Sequence, residues 1–219
     1  ILKNLPAGIA VGANTYARTG SIEVGDHTLE KNDITIGDSS ASKLKQFGVA
    51  STTVGTNSYT GGGFATTLGS YNVQSSPFNA NGFRDTLSNA TKNAFATVVG
   101  SLNSNESMSS RSSTSGVANV ITGTANAVKN SNGAITMGAG NRIENSLGAF
   151  STSAYNTNYA SVKAMQTALQ EGVAKSAGGA TLAIGGANTA DYTSHTQIIG
   201  VGNTVTGTKS VPSKYNMVN

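Results

Sequence analysis

The chain has 219 residues, 14 of them basic and 10 acidic, with 27 Gly and neither Cys nor Trp. The missing cysteines exclude disulfides and thiolate metal sites, and 37% hydrophobic with 6% aromatic residues argues against a large core of bulky side chains. The basic residues stand singly, with no phosphate-tracking stripe. No apolar run reaches the ~18 residues of a membrane-spanning helix.

In chain order, one phrase recurs: two spaced residues, usually apolar, then Gly, two variable residues, then Ser, Thr or Asn. It begins as Ile9-Ala10-Val11-Gly12-Ala13-Asn14-Thr15 and continues as Ile34-Thr35-Ile36-Gly37 and Thr52-Thr53-Val54-Gly55. Later copies read Ile135-Thr136-Met137-Gly138 and Leu182-Ala183-Ile184-Gly185. The anchors are Gly12, Gly25, Gly37, Gly55, Gly69, Gly100, Gly123, Gly138, Gly148, Gly185 and Gly200. Self-similarity of this kind predicts stacked units, none of which can bury its apolar face alone.

Within a copy, the residues three and one before Gly alternate with a small one, the period-two pattern of a strand. This predicts a rung core of Ile34, Ile36, Val54, Ile135, Ile184 and Ile199, with the intervening Thr35, Thr53 and Thr136 facing outward. Each anchor glycine, with Gly12, Gly25, Gly37, Gly55, Gly69, Gly100, Gly138, Gly185 and Gly200 the clearest, is expected to make the rung turn at positive φ. The residue three beyond Gly opens a second short strand, as in Asn126-Ala127-Val128 and Asn203-Thr204-Val205. Stacked side chains at that position predict a hydrogen-bonding ladder along one edge.

Spacings of 12 to 15 residues between anchors recur, while 31, 23 and 37 mark insertions. The chain reads as one unit over 1–219 with insertions at about 70–96, 101–118 and 150–181. The third is expected to be partly helical, because Tyr159, Val162, Met165, Leu169 and Val173 fall at helical spacing, with Asn158 as cap and Gly172 or Gly178 as stop. The chain opens and closes mid-pattern and reads as a piece of a longer protein.

Repeats such as Ile34-Thr35-Ile36-Gly37-Asp38-Ser39-Ser40-Ala41 and Ile199-Gly200-Val201-Gly202-Asn203-Thr204-Val205 resemble the YadA-like head of trimeric autotransporter adhesins. The sequence departs from that pattern at Thr52, Thr66, Thr97 and Thr122 and in its insertions. The resemblance implies an all-β, left-handed parallel β-roll with three identical chains side by side. It further implies display on the outer membrane of a Gram-negative bacterium, with the membrane anchor outside this sequence. The implied role is adhesion and virulence, without enzymatic activity or cofactor. The implied partner is a host surface glycoprotein, for example of the CEACAM type, or an extracellular matrix protein. The alternative reading is a receptor-binding segment of a trimeric phage tail fibre or spike.

Other chemistry finds little footing. Glu23, Asp26 and His27 lie together and Asp191 lies near His195, yet a metal site wants three or four converging ligands. No Gly-x-Ser-x-Gly elbow accompanies the many serines. Gly138-Ala139-Gly140 and Gly200-Val201-Gly202 lack the third glycine of a dinucleotide loop. Thr35, Thr53, Thr67 and Thr136 could suggest an ice-binding array, but Ala10, Glu23, Val98 and Ala183 break it. Loop aromatics and Arg remain the expected receptor anchors: Phe78, Phe83, Arg84, Tyr155 and Tyr159.

Overall fold

The computed structural model describes residues 9–17, 51–75, 92–107, 115–147, 180–214 and 216–218, together with Thr167, Gln170 and Glu171. Its strands form two sheets, every pairing in them parallel. The first sheet contains nine strands: β1 (Ile9–Val11), β3 (Thr52–Thr56), β5 (Thr66–Ser70), β7 (Thr97–Ser101), β9 (Val120–Thr124), β11 (Ile135–Ala139), β13 (Leu182–Gly186), β15 (Gln197–Val201) and β17 (Asn216–Val218), in that order. The second contains eight shorter ones: β2 (Tyr16–Ala17), β4 (Tyr59–Thr60), β6 (Val73–Ser75), β8 (Ser104–Glu106), β10 (Ala127–Lys129), β12 (Arg142–Glu144), β14 (Thr189–Asp191) and β16 (Thr204–Thr206). Consecutive strands alternate between the sheets, so each rung contributes one strand to each, as in a solenoid.

The anchor glycines pair with one another up the first sheet: Gly55 with Gly69, then Gly100, Gly123, Gly138, Gly185 and Gly200. Positive φ is found as expected, +121° at Gly138. The glycine is nevertheless not the turn. It is the fourth residue of a five-residue strand, set directly beside the anchor glycine of the following rung. A Cβ on Gly138 would lie 1.9 Å from the carbonyl oxygen of Gly185, so only glycine fits. The chain turns two residues later, at a left-handed position held by Asn57, Tyr71, Leu102, Ala125, Gly140, Ala187 and Gly202.

β1 pairs directly with β3 and β11 with β13, while the copies expected at Gly25, Gly37 and Gly148 lie outside the described residues. The insertion boundaries shift: Val73–Ser75 and Ser104–Glu106, which fall inside the expected 70–96 and 101–118, are strands of the second sheet. In the third insertion Thr167, Gln170 and Glu171 are helical and exposed.

The core lies between the sheets and mixes Thr, Asn and Ala with Val and Ile. In the first sheet it is the residue two before Gly that is buried: Thr53, Thr67, Val98, Ile121, Thr136, Ala183 and Ile198. In the second sheet the middle residue is buried, as with Thr60, Gln74, Val128, Ile143 and Ala190. This corrects the predicted rung core. Val54 and Ile135 are 37% and 38% exposed, and Ile184 and Ile199 are half-buried, all on the outer side. Ile34 and Ile36 lie outside the described residues. The residue two before Gly faces the second sheet, so by alternation those three and one before it face outward, and the inward row holds Thr and Ala together with Ile121 and Ile198.

Along the same interior runs an asparagine ladder. The Nδ2 of Asn103 donates to Oδ1 of Asn72 at 3.0 Å, that of Asn126 to Asn103 at 3.1 Å and that of Asn141 to Asn126 at 3.0 Å. Asn188 and Asn203 extend the series. Each amide up to Asn188 also donates forward to the anchor-glycine carbonyl of the following rung, as Asn126 does to Gly138 at 2.9 Å. Ser58 takes the place in its rung, with its hydroxyl donating to the Gly69 carbonyl. The expected ladder at this position is therefore present, but buried rather than at an edge. Buried amides are tolerated because donors and acceptors are paired rung by rung.

Candidate interaction face

The outward positions of the first sheet are those three before, one before and one after Gly. Their rows read Ile9 and Val11, then Thr52, Val54 and Thr56, then Thr66, Leu68 and Ser70, then Thr97, Val99 and Ser101. They continue with Val120, Thr122 and Thr124, then Ile135, Met137 and Ala139, then Leu182, Ile184 and Gly186, then Gln197, Ile199 and Val201. Among the described residues none of these positions is charged. Leu68 is 38%, Met137 46% and Val201 72% exposed. The row immediately before Gly is apolar at every described level except Thr122.

The outer side of the second sheet has the opposite character. Glu106, Lys129, Glu144 and Asp191 stack in register on β8, β10, β12 and β14, and Arg142 donates to Glu144 at 2.7 Å along its own strand. The carboxylate beside it raises the Arg142 pKa. Asn130 donates to Asn145 and Asn145 to Asp191, a polar seam at the end of these strands. The second sheet thus carries charge on β8 to β14, and the outer face of the first sheet is uncharged, with a row of aliphatic side chains beside the anchor glycines. Exposed apolar surface of this kind marks a place where something docks.

The predicted receptor anchors Phe78, Phe83, Arg84, Tyr155 and Tyr159 lie outside the described residues, as do Glu23, Asp26 and His27. His195 is exposed and left-handed at φ 48°. Among the described residues no group of three or more His, Asp or Glu is gathered. Two aromatics are brought together that the sequence left apart: Phe64 and Phe95 stack with parallel rings, centroids 5.4 Å apart, at the left-handed corner of successive rungs. They pin that corner. Sequence reasoning missed the outward aliphatic face itself, because strand alternation defines two faces without saying which is inward.

No family model, no curated protein and no solved structure matches the chain.

Proposed function

We propose that this chain is the head of a homotrimeric surface adhesin, a left-handed β-roll of the YadA-like type displayed at the outer membrane of a Gram-negative bacterium. It acts by attachment rather than catalysis, and binds a host surface glycoprotein, for example of the CEACAM type, or a matrix protein. The observation that carries this reading is the uncharged aliphatic outer face of the first sheet. Nine strands spaced about 4.8 Å apart, each about 16 Å long, give roughly 600 Å² per chain, near the ~800 Å² that each partner contributes to a standard interface. A second copy presenting the same uncharged rows satisfies this face, whereas a charged partner would leave its own charges unpaired. Symmetry makes such an interface self-consistent. Three copies would turn their charged second sheets outward, where weak contacts to a receptor add by avidity.

Two substitutions at adjacent residues test it. Ala183→Asp buries a carboxylate inside the rung and should abolish folding. Ile184→Asp places the charge on the outer face and should preserve strand circular dichroism. It should reduce the mass by light scattering from three times the 22.0 kDa chain to one. Attachment to immobilised matrix proteins and epithelial glycoproteins should fall with it. A wild-type monomer, or an Ile184→Asp trimer, would sink the reading.

A further inference from the structure

The interior changes character along the stack. All members of the apolar core cluster, Val98, Ile121, Val128, Ala134, Ile143, Ala183, Ala190, Ile198 and Val205, come at or after residue 98. The rungs anchored on Gly55 and Gly69 have a polar interior instead. Thr53 Oγ1 lies 2.6 Å from Thr60 Oγ1, Thr60 donates to Thr67 at 2.6 Å, and Gln74 Nε2 donates to Thr67 at 2.9 Å and to the Thr66 carbonyl at 2.8 Å. The larger aliphatic side chains of these rungs, Val54, Leu68 and Val73, are exposed, while Ala65 is buried. Hydrogen bonds that replace bonds to water contribute little net stability, while ordering the backbone opposes it at every residue.

We infer that the rungs anchored on Gly55 and Gly69 take their order from a second copy of the chain laid over Val54 and Leu68, whereas the rungs from Gly123 to Gly200 fold on their own. The inference rests on the homotrimer reading and adds to it a direction: the apolar-cored half forms first, and assembly then orders the polar-cored half. A surface aliphatic becomes the main hydrophobic contact of the rung that displays it. The interior Thr and Gln relay fixes strand alignment without supplying the driving force.

The test is hydrogen exchange read by mass spectrometry over a dilution series of the whole chain, with the mass of the assembly followed in parallel. Where dilution leaves the trimer intact, the double variant Met137→Asp with Ile184→Asp supplies the monomer, since both changes lie outside the polar-cored rungs. In the monomer, amides of residues 52–75 should lose about a hundredfold in protection, while those of 120–147 and 182–206 keep theirs. An assembly whose two halves lose protection together, or a monomer whose residues 52–75 stay protected, overturns this inference and leaves the trimer reading standing. A wild-type chain that is monomeric at every concentration overturns both.

Discussion

The side-chain amide of Asn126 donates to Oδ1 of Asn103 at 3.1 Å, and the same oxygen accepts the backbone N–H of Asn126 at 3.0 Å. One carbonyl oxygen thereby fixes both the side chain and the main chain of the following rung. Repeated from Asn72 to Asn203, this two-point contact ties each rung to the next.

Asn126→Ala removes a residue bonded to three rungs. The Gly138 carbonyl loses a donor, and the N–H and Nδ2 of Asn141 lose their acceptor. Orphaning buried polar groups costs about 1–3 kcal/mol each, so thermal unfolding should shift down by several kcal/mol equivalent. A loss below about 1 kcal/mol would mean the ladder is decorative.

Two nearby glycines separate backbone strain from collision. Gly138 and Gly140 both have positive φ, +121° and +67°. A Cβ on Gly138 meets the Gly185 oxygen at 1.9 Å, whereas one on Gly140 meets nothing nearer than 3.8 Å. Gly140→Ala should cost about 1 kcal/mol, and Gly138→Ala should prevent stacking at that level. Denaturant midpoints that match for the two would remove the steric argument.

Thr136 is fully buried, and its hydroxyl finds no partner. Its neighbours in the stacked row are apolar, with Ile121 and Ala183 at the equivalent position on either side. Thr136→Val keeps the branched shape and removes the orphan hydroxyl, so it should stabilise by about 1 kcal/mol. A lower midpoint for the variant would show that the hydroxyl is satisfied.

Lys92 is fully buried, and desolvation lowers its pKa from 10.5 to about 8. Between these values the unfolded chain binds the proton and the folded chain has released it, so stability should rise as pH is raised through that window. Below pH 8 both states are protonated, and this group adds no slope. Lys92→Met should flatten the rise between pH 8 and 10.5. Parallel curves for variant and wild type would place the amine in water.

The predicted architecture was legible because its causes are local. Glycine at a fixed offset, strand alternation before it and a polar residue three beyond it gave parallel stacking, positive φ at Gly138 and the Asn ladder. These constraints involve residues within a few positions of each other, and repetition multiplies the signal.

Which face of the strand turned inward was decided only by tertiary structure. Alternation in Ile135-Thr136-Met137 defines two faces but not which of them meets the second sheet. The usual rule sends the aliphatic face inside, yet Thr136 is the buried residue and Met137 is 46% exposed. Which phrases become rungs was likewise a matter of long-range pairing. Gly138 pairs with Gly185, 47 residues on. Sequence specifies the rung, whereas the order in which rungs stack, and the face left for a neighbour, depend on how whole strands fit together across the gap.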